Sequence, residues 1–214
     1  MKLDKDDLGF KAYKAIKELI VSKQFKPGEK IVQERLADQL GISRTPLRDA
    51  LQMLEAENLI ISIPRKGVMV KEFTQKEIIE VYDCRIALEG VAVSLFTERS
   101  NEEEVEELED LFLPFTKKNK AINTKKYQAI DSQFHNTIIS NCGNKILSNL
   151  FHKGNLLTSI RMIGLVRPPS ETLQEHLDII RAIKEKKTDL AEKLAKEHLD
   201  ISRQLILKQL KDNA

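Results

Sequence analysis

The stretch LADQLGISRTPLRDALQML, residues 36–54, constrains this chain more than any other. It reads as a helix, a tight turn at Gly41 and a second helix that starts at Ser43-Arg44-Thr45. Leu47, Leu51 and Leu54 recur at i, i+4 and i+7 and must face a core. That turns Arg44, Thr45, Arg48 and Gln52 outward. A helix presented in this way suits the DNA major groove.

The flanking residues complete a small domain over residues 1–72. Tyr13, Ile16 and Ile20, with Leu19 beside them, predict a first helix over residues 8–23. Pro27-Gly28 makes a turn, because Pro pre-sets φ and Gly permits a positive one. Ile31-Val32 reads as an extended lead-in or short strand. A short second helix over residues 33–39 is buried through Leu36 and Leu40, and Gly41 closes it as a left-handed cap. The third helix covers residues 44–57. Residues 59–63 and 68–70 read as strands joined by Pro64-Arg65-Lys66-Gly67. Three helices and a basic-tipped hairpin make a winged helix-turn-helix.

Residues 73–214 read as helices throughout: 75–99, 101–118, 124–140, 145–165, 170–186 and 188–210. Thr74-x-x-Glu77 and Ser100-x-x-Glu103 have the form of capping boxes. Pro114 should kink or end the second of these helices. Asn141-Cys142-Gly143-Asn144 and Arg167-Pro168-Pro169 are stops, and Ser170 and Thr188 stand as caps for the last two helices. Six helices on short loops make an antiparallel bundle. The expected fold is therefore mainly α: an N-terminal winged helix-turn-helix, then an all-helical domain over residues 73–214.

Composition agrees. Aromatics are 5% of the chain and Trp is absent, so the core must be built from Leu, Ile, Val and Ala. Residues 1–72 hold 14 Lys/Arg against 11 Asp/Glu, and residues 73–214 hold 21 against 22, so the excess of positive charge lies with the candidate DNA-binding part. Cys84 and Cys142 stand far apart, which argues against a disulfide scaffold and for a reducing cytoplasm. The start MKLDKDD has no apolar core, so no signal peptide is expected. No apolar run approaches the roughly 20 residues of a membrane span.

Two groups of residues carry chemistry. The first faces DNA. Arginines such as Arg44 and Arg48 can bridge O6 and N7 of guanine. Ser43 and Thr45 can offer hydroxyls, and the helix start its amides, to phosphate oxygens. Arg65 and Lys66 at the hairpin tip can enter the minor groove, with Gly67 allowing close approach. The second group is a possible metal site. Asp131 and His135 share a helix face at i, i+4. His176 and His198 each lie eleven residues from Lys187, so an antiparallel pair would bring both about 16 Å from that turn, at equal height. Three imidazoles and one carboxylate suit a divalent ion: Zn²⁺ first, with Ni²⁺ or Mn²⁺ as alternatives. A carboxylate effector is the expected ligand of such a cavity, paired with Arg85 or, second, Arg161. An internal ion pair of Arg85 with Glu89 is the competing reading. Glu175 and Glu197 adjoin their histidines in sequence and are expected on other faces. His152 has no evident partner and reads as structural or exposed.

These residues carry a resemblance. Residues 41–51, GISRTPLRDAL, then Leu54-Glu55-Ala56-Glu57-Asn58-Leu59-Ile60, resemble the N-terminal domain of GntR-family transcription regulators. Pro27-Gly28 and Arg65-Lys66-Gly67 fit it too. Arg85-x-x-Leu88-Glu89 and Asp131-x-x-x-His135 are similar to the FCD ligand-binding domain of the FadR-like branch. The resemblance implies DNA contacts at Arg44, Thr45, Arg48 and Gly67, and metal ligands at Asp131, His135, His176 and His198. Many members place an arginine just before the glutamate of the second helix, whereas the order here is Glu34-Arg35-Leu36. A shift of one position turns a side chain by about 100°, and Arg35 is carried over as a contact with that departure.

Two functions are then in contention. One is a metabolite-responsive regulator, a repressor by default, that binds operator DNA as a cytoplasmic homodimer and is not an enzyme. The other is a metalloenzyme fused to a winged-helix adaptor, in which the three-His/Asp site activates water.

Overall fold

A computed structural model describes residues 7–116 and 121–213. The chain divides into two compact units, one ending at Phe73 and one beginning at Thr74.

In the first unit, α1 (Asp7–Val21) buries Tyr13, Ile16 and Ile20 as the periodicity predicts. It ends two residues early because Lys23 adopts a left-handed φ of 61°. The α2 helix (Gln33–Leu40) stops at Gly41, whose φ of 63° is open to glycine at no steric cost. The α3 helix (Arg44–Ala56) turns Leu47, Ala50, Leu51 and Leu54 inward. Strands β1 (Ile60–Ile63) and β2 (Gly67–Val70) pair antiparallel, with Ile60 opposite Val70 and Ile63 opposite Gly67. Lys30 bridges Met69, and Ile31 N–H donates to Val68 O at 2.9 Å, which ties the lead-in to the wing.

The second unit contains seven α-helices among its described residues, not six. The α4 helix (Gln75–Arg99) opens on the expected Thr74/Glu77 capping box. The box of α5 (Glu102–Phe112) is instead Asn101 with Glu104. Ser100, expected as that cap, faces the other way: its hydroxyl and carbonyl take hydrogen bonds from Lys186 Nζ. Pro114 lies in a 3₁₀ turn, Leu113–Phe115, so the α-helix ends before it, and the expected end at Lys118 lies outside the described residues.

The α6 helix covers Thr124–Asn141. The helix expected over residues 145–165 is broken into α7 (Lys145–Lys153) and α8 (Leu156–Ile163). Asn155 sits between them at φ 52°, a left-handed conformation that no α-helix continues through. The α9 helix (Pro169–Lys184) begins on Pro169, whose missing N–H costs nothing in the first turn, so Ser170 is not its cap. Thr188 likewise is the first residue of α10 (Thr188–Asp212), not its cap. Phe96, Phe112, Tyr127, Phe134 and Phe151 are fully buried in the bundle core. Among the described residues, no helix is long and apolar enough to cross a membrane. Cys84 is exposed and Cys142 buried, and both are free.

Candidate metal centre and nucleic-acid interface

The core of the second unit is polar at one point. Asp131 and His135 from α6, His176 from α9 and His198 from α10 are all buried, and one ligand atom from each lies within 4.8 Å of the others. The imidazoles are held from behind. His135 Nδ1 lies 2.6 Å from Glu89 Oε2, and His198 Nδ1 lies 2.6 Å from Glu175 Oε2. His176 Nδ1 lies 3.0 Å from the Tyr127 hydroxyl, which also meets Thr172 Oγ1 at 2.9 Å. Carboxylates behind His135 and His198 favour the Nδ1–H tautomer and leave Nε2 with its lone pair.

The Nε2 atoms of His135 and His176 are buried without a hydrogen-bond partner. Asp131 Oδ1 lies 3.4 Å from His176 Nε2 and 4.0 Å from His135 Nε2. Buried ring nitrogens left open in this way are costly unless something fills the space between them. Three nitrogens and a carboxylate are the donors a borderline divalent ion takes. The residues therefore fit a metal.

Electrostatics keep His176 and His198 in the uncharged, ligating form. Burial, then the neighbouring imidazoles of His198 and His135, push His176 well below its ordinary value. Burial also lowers His198, against the pull of Glu175. For Glu89, burial works upward, but Arg85 and then His135 outweigh it and hold the carboxyl down. Glu175 is brought down to about 2: burial opposes this, while hydrogen bonds from Arg167 and His198 prevail.

Of the two candidate effector arginines, Arg85 lines the cavity at this centre, and Arg161 does not. Arg85 is buried and paired with Glu89, Nε to Oε1 at 2.5 Å. Arg161 is half-buried on α8, where its carbonyl accepts from Gln128 Nε2. His152 is exposed, 3.4 Å from Ser140 Oγ. Sequence reasoning missed Tyr127, Thr172, Arg167 and the role of Glu175. Glu175 does point away from the face of His176, and that direction carries it to His198 on the next helix. One signal was available: Tyr127, Asp131 and His135 recur every four residues on one helix face.

In the first unit, an open groove of about 510 Å³ lies between the starts of α2 and α3 and strand β2. Arg44, Thr45, Arg48 and Gly67 line it, together with Lys30, Gln33 and Glu34, which the sequence reading left out. Arg44 donates to Glu34 Oε1 at 2.8 Å, and both side chains are mostly exposed. Ser43 is exposed at the start of α3, and its hydroxyl makes no cap bond. Arg35, Arg65 and Lys66 are exposed outside this groove, Arg65 with a φ of 65° in the hairpin turn.

A winged helix-turn-helix unit whose groove is lined by Lys30, Arg44 and Arg48 is thus joined in one chain to a helical unit with a metal-competent core. Family comparison agrees: residues 9–70 match the bacterial regulatory proteins of the gntR family, and residues 80–201 match the FCD domain. The chain belongs to the GntR family, in the group that carries an FCD domain.

Among its relatives, the uncharacterized HTH-type transcriptional regulator YdhC of Bacillus subtilis is 39% identical over 97 residues, 45% of this chain and 43% of that protein. The HTH-type transcriptional repressor GlaR of Escherichia coli is 32% identical over 91 residues, 42% of this chain and 41% of that protein. The match thus spans less than half the length of these curated relatives. Two solved structures share the fold along nearly the whole chain. E. coli McbR/YncC has a TM-score of 0.75 at 21% identity, covering 95% of this chain and 99% of that one. A putative GntR regulator from Rhodococcus sp. RHA1 has a TM-score of 0.79 at 22% identity, covering 94% and 97%.

Proposed function

We propose that the protein is a metabolite-responsive transcription regulator that binds operator DNA through its N-terminal unit and a small carboxylate effector at the metal centre. The observation that carries this reading is the pair of unpartnered buried Nε2 atoms beside Asp131, in a chain that also holds a winged helix-turn-helix. Asp131, His135, His176 and His198 hold the ion, with Zn²⁺ the first choice. When bound, such an ion would supply Lewis-acidic positive charge to a carboxylate oxygen. Arg85 lines the same cavity and is assigned to the effector, whereas Arg161 has no such support.

On the DNA side, Arg44 and Arg48 read base edges. Ser43, Thr45, Lys30 and the wing tip, Arg65-Lys66-Gly67, contact the backbone or minor groove, and Arg35 is a flanking phosphate contact. The protein acts in the cytoplasm as a homodimer on a two-fold operator, and by default it represses. Differential affinity of the effector for two states of the dimer supplies the coupling. The names of the relatives are those of regulators, and none supports the metalloenzyme alternative.

Fluorescence anisotropy with duplex DNA at two salt concentrations tests the first half. Binding that weakens steeply with salt is expected, and its complete absence would sink the regulator reading. Elemental analysis of purified protein and of His176→Ala tests the second. Wild type should carry about one ion per chain and the variant much less, and equal content in both removes the site.

A further inference from the structure

The cavity at the metal centre is small, about 20 Å³, where one water needs roughly 10–15 Å³. Most of its wall is helical: Arg85 on α4, Asp131 and His135 on α6, and His198 on α10 contribute. One side differs. Residues 164–167, between α8 and α9, line the cavity in an unbroken run, and Gly164, Leu165 and Val166 are also partly exposed. This stretch therefore stands between the centre and water. Leu165 packs against the core, and Arg167 ties the stretch down.

The Arg167 side chain is nearly inaccessible and makes four hydrogen bonds of 3.0 Å or less to two helices, besides a longer contact of 3.5 Å from an Nη to His198 Nδ1. Its Nε donates to Ser202 Oγ on α10 at 3.0 Å, and an Nη donates to the His198 carbonyl at 2.9 Å. Both Nη atoms donate to the Glu175 carboxylate on α9, at 2.7 and 2.6 Å. Such a bidentate pair is strong and directional. The oxygen at 2.6 Å, Oε2, is also the one that accepts from His198 Nδ1. One carboxylate oxygen thus serves both the covering stretch and a ligand imidazole.

We infer that Arg167 is the clasp of the metal centre. It positions Glu175 to orient His198, and it holds residues 164–167 over the cavity, so that contents enter and leave only when the Arg167–Glu175 pair parts. The inference rests on the reading of the four-residue set as a metal site. It also explains how a cavity of this volume can serve an effector larger than a water: the clasp must open first.

Two measurements on the full chain test it, with Arg167→Gln, Arg167→Lys and Glu175→Gln as variants. Zn²⁺-loaded protein is mixed with a chromophoric chelator, and the release rate is read. Arg167→Gln should release the ion about 10–100-fold faster, the usual scale for removing an outer-shell partner. Arg167→Lys should lie between it and wild type, because an ammonium keeps the charge but not the fork. Glu175→Gln should follow Arg167→Gln. In metal-free protein, hydrogen exchange over residues 156–168 should accelerate in Arg167→Gln while residues 85–95 of α4 stay protected. Unchanged release from folded Arg167→Gln overturns the clasp. So does exchange that rises evenly along the chain, since that marks an ordinary loss of stability. If wild type takes up no Zn²⁺, the metal reading fails by itself, and the exchange measurement still decides whether Arg167 holds the stretch.

Discussion

Glu89 stands behind His135, its Oε2 2.6 Å from Nδ1, while its other oxygen takes Arg85 Nε at 2.5 Å. All three residues are buried. The carboxylate therefore has two tasks: it orients a candidate metal ligand and it neutralises a buried arginine. A substitution that separates these tasks should show two distinct losses. Glu89→Gln leaves the Arg85 charge buried and uncompensated, which costs about 3–5 kcal/mol. Urea unfolding of the metal-free chain should register that loss in the helical unit. The double variant Arg85→Met/Glu89→Met should recover much of it, because a buried ion pair exchanged for apolar volume is close to neutral. Metal affinity should stay about 10–100-fold weakened in both, for want of a partner at His135. Recovery of affinity in the double variant contradicts the orienting role.

The histidines make the metal-free protein sensitive to acid. His176 and His198 are held below their ordinary value of 6.5 in the fold, so the unfolded chain binds more protons once the pH drops under that value. Their contribution is complete above pH 6.5 and is lost as the pH falls toward their folded values. Glu175, brought down to about 2 from 4.5, adds a second loss of the same sign below pH 4.5. The Tm of metal-free protein should therefore fall between pH 7 and pH 5, before any carboxylate matters, and the fall should shrink in His176→Phe. A flat Tm over that window is incompatible with buried neutral imidazoles.

Periodicity exposed most of this architecture. The i, i+4, i+7 leucines of α3 and the left-handed Gly41 define the helix-turn-helix without reference to any neighbour. The equal heights of His176 and His198 follow from rise per residue alone. What stayed hidden depends on which helices touch. Nothing in the order of residues says that α9 turns Glu175 toward α10, or that Arg167, seen only as part of a Pro-Pro break, folds back onto Ser202 and His198. Caps slipped by one position for a different reason: Ser100 and Asn101 are both competent, and the tertiary demand of Lys186 for the Ser100 carbonyl and hydroxyl decides between them.

On the proposed reading, the groove of the first unit holds two kinds of DNA contact. Arg44 opens the recognition helix, and Lys30 lies beside the wing at Gly67. Arg44→Ala should cost about 1–3 kcal/mol on the preferred operator and relax its specificity at one position. Lys30→Ala should weaken all duplexes alike and lower the salt slope by about one. Anisotropy titrations on matched and single-base-substituted duplexes check both. Equal effects of the two variants on every duplex would deny Arg44 a reading role.

Glu34 brings a negative charge into that groove and holds Arg44 at 2.8 Å. Both side chains are largely solvated, 84% exposed for Arg44 and 75% for Glu34, so the pair contributes at most about 1 kcal/mol in the free protein. If Arg44 reads DNA as proposed, DNA must compete with Glu34 for the same guanidinium, and the carboxylate also repels phosphate. Glu34→Gln should therefore tighten binding to non-operator duplexes by up to about fivefold, the equivalent of that 1 kcal/mol. If Glu34 also aims Arg44 at guanine, the gain on the operator is smaller and the ratio of operator to non-operator affinity falls. An unchanged ratio with uniformly tighter binding leaves Glu34 as an electrostatic brake alone. Weaker binding to every duplex contradicts the competition.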